Sequence, residues 1–261
     1  NFHILKISKI IIYDEPTVPE IQLKKLSKFL KEMFPIQVEL QKNFLEISDD
    51  SIFEKIATTK INDLKKPFKK HIPTQADIFI EKQNKDISED EITYYDGFEL
   101  CKIINEFIPR NENKIDTLHI IFSNKLTCTF DENDFRYHAR ALIGSNPTII
   151  STTGIIEAPA KPKKYYLELM TSTSQKETDD IKEKYQDEFL KYHDSQISQI
   201  VEGYLLQAIM YYETGEAFCE QKDCRLFNAH WQKELLFTQL ESKKLCEKHI
   251  EIIKKMNDIG S

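Results

Sequence analysis

No run of about 18 apolar residues occurs in the chain, so no membrane-crossing helix is expected. The opening Asn1 to Ile12 lacks the basic, apolar and small-residue layout of a secretory signal, which makes the cytoplasm the expected compartment. A concentrated basic face is missing too: the net charge is −7, with acids and bases interspersed. Nucleic acid and membrane are therefore not expected partners. There is no internal repeat. Arginine is scarce, with only Arg110, Arg136, Arg140 and Arg225 against abundant lysine. The commoner role of any one arginine is structural, yet at Arg136, Arg140 and Arg225 a planar fork can grip a carboxylate as an ammonium cannot. What remains is a 261-residue chain with 40% hydrophobic content. That suffices for a substantial core, as one domain with an appendage or as two small domains.

Along the chain, apolar periodicity predicts a strand over Lys9 to Tyr13, followed by a rigid Asp14 to Pro19 loop and a helix with Leu23, Leu26, Leu30 and Met33 inward. Ile36 to Leu40 alternates like a strand, Ser51 to Ala57 reads as a short helix, and Ala76 to Ile80 as a third strand. A helix is expected over Gly97 to Phe107, a strand over Leu118 to Phe122, a short helix from about Asp131 to Leu142, and a strand over Thr148 to Thr152. Strands alternating with helices imply an α/β sheet. Thr171 to Asp180, rich in Ser, Thr and acids, reads as a linker or mobile loop ending in helix-capping aspartates. Beyond it the chain is predicted to be helical, with breaks at Gly215 and around Asn228. The expected division is an α/β subdomain over 1–170 and a helical one over 171–261.

The most informative stretch runs from Ala208 to Cys219 and on to Cys224. Ile200, Val201, Tyr204, Leu205, Ala208, Ile209 and Tyr212 form one apolar stripe on a helix. Gly215 fits the left-handed residue that ends it. This stretch resembles the archaemetzincin pattern H-E-x-x-H-x-x-G-x-x-H-C-x-x-x-x-C-x-M, with Gly215, Cys219 and Cys224 in register. The order of strand, helix, strand and long helix upstream fits the same resemblance. It implies a metzincin-like twisted mixed sheet with helices, followed by a helical C-terminal part. It also implies that the chemistry is gone. The three metal-binding histidine positions hold Ala208, Tyr212 and Phe218, the general-base glutamate position holds Ile209, and the methionine position holds Leu226. Zinc needs nitrogen or oxygen lone pairs, and the water it activates needs a base; these side chains supply neither set. No catalytic zinc is expected.

A structural zinc is another matter. Archaemetzincins hold one with the C-x4-C pair and a later C-x2-C pair, and this chain offers Cys219-x4-Cys224 and then Cys246-Glu247-Lys248-His249. The resemblance thus implies a Cys3His site of Cys219, Cys224, Cys246 and His249, a ligand set that tetrahedral zinc accepts. Without the family, Cys246 and His249 are simply neighbours three apart on a helix. Cys101 and Cys128 read as small buried hydrophobes.

Two further constellations stand out. Asp131, Asp134, Arg136, His138 and Arg140 are close in sequence, with Asp131 expected to cap the helix and Asp134 with His138 to pair along it. His230, beside Trp231, is placed by the resemblance near the former active site, with Glu213 and Glu216. Ser151 to Gly154 suggests no nucleophile. The expected function is that of a metallopeptidase homologue without hydrolytic activity that keeps a peptide or protein ligand in its cleft. Two alternatives are an active peptidase rebuilt on His138, His230 and the nearby carboxylates, and an assembly protein whose apolar stripe faces a partner.

Overall fold

The computed structural model describes residues 6–86 and 92–258, so the first five residues of the opening segment lie outside it. The element order begins β1 (Lys9–Tyr13), α1 (Leu23–Met33), β2 (Gln37–Gln41), α2 (Phe44–Ile47), α3 (Ser51–Ala57) and α4 (Gln75–Gln83). It continues through β3 (Tyr94–Asp96), α5 (Gly97–Phe107), β4 (Thr117–Ser123), β5 (Leu126–Asp131), β6 (Arg136–Arg140), β7 (Leu142–Ile143) and β8 (Thr148–Ser151). The last part holds α6 (Thr152–Glu157), α7 (Lys163–Thr171), α8 (Gln175–Lys184), α9 (Ile197–Thr214), α10 (Gln232–Leu236) and α11 (Glu247–Asn257).

A five-stranded mixed sheet in the order β2-β1-β4-β8-β7 carries the molecule. Its first four strands are parallel, and β7 runs antiparallel to β8 along one edge. The run Ile10-Ile11-Ile12 explains the central strand, since a parallel strand covered on both faces needs apolar side chains pointing both ways. Ile10 and Ile12 join a core with α1 and α9, whereas Ile11 and Tyr13 face α3 and α5. A second sheet, β3-β5-β6, stands beside the first. The larger core joins Leu118 and Ile150 of the sheet to Ile200, Leu205, Leu226 and Met256, so α9 and α11 pack directly on the α/β part. Among the described residues no helix is long and apolar enough to cross a membrane.

Three expected elements are corrected. The segment Ala76 to Ile80 lies in helix α4, not a strand. Thr74 and Asp77 form a reciprocal capping box there, and the apolar Phe79 and Ile80 are exposed while Glu81 is buried. Glu81 accepts from Tyr95 Oη at 2.8 Å and pairs with Lys60 and Lys125, which is why a carboxylate can face inward. The short helix expected over Asp131 to Leu142 is the β5–β6 hairpin with β7 after it. Its acid-rich centre is the turn: Asp131 Oδ1 accepts from the Asn133 amide, and Phe135 takes φ 51°. The Asp134–His138 pair exists at 2.8 Å, but across this turn. The expected loop from Thr171 is short, because Ser174 Oγ accepts from the Glu177 amide and starts α8, leaving Asp179 and Asp180 inside the helix.

Ser151 caps α6 by accepting from the Gly154 amide at 2.8 Å and donates to the Lys125 carbonyl, a structural role. A Cβ on Gly154 would lie 2.2 Å from the Arg140 carbonyl oxygen, so glycine lets α6 begin against the β6–β7 junction. Gly154→Ala is expected to cost about 1–3 kcal/mol of stability in urea unfolding, as overpacking does. An unchanged midpoint would show that the junction yields freely.

Candidate metal centre and the adjoining cleft

Helix α9 is buried along most of its length, with Ile200, Val201, Leu205, Ala208 and Ile209 at 1% exposure or less. These five positions of the apolar stripe are therefore core. Gly215 ends the helix at φ 81°, its amide donating to the Tyr211 carbonyl. Glu213 turns away from the expected cleft: its carboxylate accepts from the backbone amides of Lys6 and Ile7 at 2.8–2.9 Å. Tyr212 is half-buried and its hydroxyl donates to the Ile115 carbonyl.

Beyond Gly215 the chain forms the loop that carries the cysteines. The Cys219 amide donates to the Leu226 carbonyl, and the Arg225 amide to the Lys244 carbonyl, which ties the loop to the stretch before α11. Cys246 is the N-cap of α11, and the His249 amide donates back to its carbonyl, so both side chains leave the same end of the helix. Cys219, Cys224, Cys246 and His249 then converge, with their ligand atoms all within 4.8 Å of one another. Cys219 Sγ lies 3.8 Å from Cys246 Sγ, and Cys224 Sγ 3.7 Å from His249 Nδ1. A zinc tetrahedron with metal–sulfur bonds of about 2.3 Å has edges of about 3.6–3.8 Å, so these two distances suit it. The Cys246 Sγ to His249 Nδ1 edge is tighter, at 2.9 Å.

The surroundings favour a soft cation. Gln221 donates its amide to Cys219 Sγ at 3.4 Å, a contact that stabilises a thiolate. Burial, with Lys248 nearby, holds the His249 imidazole below its usual pKa and so neutral, with a lone pair available. Burial pushes the Cys224 thiol up to about 12, so a cation is needed to draw off its proton near neutral pH. Leu226, which the resemblance places at the methionine position, is fully buried beneath the loop.

The same loop forms one wall of a cleft. A cavity of about 430 Å³ lies between the edge strand β7 and α9, walled by Leu142, Ile143, Tyr204, Tyr211, Phe218 and Phe227. Besides the tyrosine hydroxyls, its polar lining among the described residues consists of Thr129, Arg140, Gln207, Asn228 and His230, with no carboxylate. A groove continues past Phe218, Cys219 and Cys246, where Glu216 meets Lys248 at 3.6 Å. The face of α9 turned to the cavity is Tyr204, Gln207 and Tyr211. Among the positions expected from the pattern, Ala208 and Ile209 are core and Tyr212 is bonded elsewhere; only Phe218 reaches the cleft. Tyr204, at the margin of the apolar stripe, recurs with Gln207 and Tyr211 at helical spacing as a row of polar-tipped side chains, a signal that could have marked this face in advance. Gln207 is 3% exposed and its Oε1 has no hydrogen-bond partner.

Residues 6–256 match the family described as "Probable metallopeptidase family (DUF6775)". The chain belongs to that family. No curated protein matches it. Among solved structures, it is similar to a zinc-dependent peptidase from Methanocorpusculum labreanum (strain Z), at 11% identity over 94% of this chain and 99% of that one, with a TM-score of 0.45.

Within this metallopeptidase-family chain, the cysteine loop is braced by Arg225, which is 6% exposed. Its guanidinium donates to the Gln199 carbonyl at 2.9 Å, to Glu202 at 2.8 Å and to Gln239 Oε1 at 3.2 Å, and lies over the Phe29 ring. The bond to Gln239 and the two to α9 span directions that a lysine cannot cover at once. Arg225→Lys and Arg225→Ala should both destabilise the protein in urea, the alanine change by about 3 kcal/mol because it strands partly buried acceptors. Equal stability of the lysine variant and the natural protein would contradict the bracing role.

Proposed function

We propose that the chain is a metallopeptidase-family protein whose zinc is structural, held by Cys219, Cys224, Cys246 and His249, and whose cleft binds an extended peptide without cleaving it. The observation that carries this reading is what α9 brings to the cleft. It has no histidine or cysteine, and its two carboxylates are engaged, Glu202 by Arg225 and Glu213 by backbone amides. His230 is the lone imidazole in the cavity lining. Two groups of metal-capable side chains occur among the described residues: the Cys/His cluster, and Asp131, Asp134 and His138 on the exposed hairpin. Neither group contains His230, which counts against a site rebuilt on His138 and His230.

Four protein ligands close a zinc site and leave no coordination position for water, the arrangement typical of structural zinc. Three thiol ligands fit a reducing compartment such as the cytoplasm. The peptide side of the proposal rests on β7, the terminal strand of the sheet, whose outer edge borders the cavity. Backbone pairing to a sheet edge requires no metal.

Elemental analysis of protein purified without added metal should find one zinc per chain. Cys224→Ala should lose it, whereas His230→Ala should keep it. Quenched fluorescent peptide pools should remain uncleaved in all three. Metal lost with His230→Ala, or cleavage abolished by that change, would establish a catalytic centre in the cleft instead.

A further inference from the structure

We propose that Arg140 anchors a carboxylate of the cleft's ligand, which pairs that carboxylate with a bulky apolar group seated in the cavity. The proposal rests on the peptide-binding reading and adds the chemistry of what is bound. The chain holds 43 acidic residues against 36 lysines and arginines. In that setting an acid-free cavity wall is informative. Among the described residues lining it, Arg140 is the only formally charged one.

Its environment separates it from the arginines of the hairpin turn and the cysteine loop. Arg136 is paired with Asp134 at 2.8 Å, and Arg225 with Glu202 at 2.8 Å. Arg140 is half-buried and makes no ion pair with any described residue; its Nε donates to Thr129 Oγ1 at 2.8 Å. That bond fixes the plane of the guanidinium and leaves its two terminal nitrogens to bind a partner. Carboxylates on neighbouring segments are engaged elsewhere: Asp134 by Arg136 and His138, and Asp96 by Tyr137 Oη and the Glu99 amide. A fork with an orienting bond and no internal acid suits bidentate carboxylate recognition.

Position gives the contact a direction. Arg140 ends β6 and is joined through a bend at Ala141 to Leu142, the first residue of the edge strand β7, so it stands beside the N-terminal end of β7. A peptide laid antiparallel to β7 would bring its C-terminal end to Arg140 and its apolar side chain to the cavity. An acidic side chain could present the same group.

Isothermal titration of the zinc-bearing full chain tests this with acetyl-Gly-Gly-Phe as the free acid, the same peptide as its C-terminal amide, acetyl-Gly-Glu-Phe amide, and 4-phenylbutyrate. The free acid is expected to bind about tenfold or more tighter than the amide, as a charge-assisted contact gives. Arg140→Met should erase that ratio, and Thr129→Val, which keeps the charge but frees the fork, should reduce it. If the glutamyl amide regains the tight binding, the recognised carboxylate is a side chain; if not, it is the terminus. Equal affinity for acid and amide, or a ratio that survives in Arg140→Met, overturns the anchor. If only phenylbutyrate binds, and does so through Arg140, the anchor stands and the peptide reading falls; if none of the four binds, the anchor falls.

Discussion

Everything at the site hangs on α9 being enclosed. Thirteen of its eighteen residues are buried, so it is a core element and not an amphipathic surface helix. Such burial fixes its rotation, and the rotation decides which side chains can meet the cleft. Gly203 shows how close the packing is: a Cβ there would fall 2.0 Å from Gln239 Oε1. Gln239 in turn donates to the Arg225 carbonyl and accepts from the Arg225 guanidinium. The helix, the π-turn over Phe237–Ser242 and the cysteine loop therefore form one packed unit.

That unit sets which side chains of α9 reach the cleft and which are core. Ala208 and Ile209 face the core and are fully buried, as small and branched apolar side chains suit. The Cys/His cluster lies on the other side of the Gly215 turn and depends on separate residues. Its loop also supplies Phe218, Phe227 and His230 to the cleft, so an ion bound by the cysteines would hold the cleft wall without touching a ligand.

Much of this was legible in the sequence. The bounds of β1, α1, α3 and α5 follow from apolar spacing that coincides with burial, and the Cys219, Cys224, Cys246 and His249 set, which converges in the fold, was implied by the family resemblance. Legibility failed where burial and polarity part company. Helix α4 exposes Phe79 and Ile80 and buries Glu81, the reverse of what periodicity assumes. The β5–β6 hairpin was hidden because Asp134 and His138 have helical spacing yet meet across a turn. Arg140 stood out in the sequence as a possible carboxylate fork, but its place on the cleft depends on strand pairing that no local pattern announces. The cavity-facing residues of α9 were missed by one position, because helix rotation is set by tertiary packing.

The most direct test of the account is zinc K-edge X-ray absorption on the protein as purified. A closed cysteine–histidine site predicts a shell of three sulfurs at about 2.3 Å and one nitrogen at about 2.0–2.1 Å. A shell dominated by nitrogen and oxygen, with water in an open position, would contradict it and place the metal in the cleft as a catalyst.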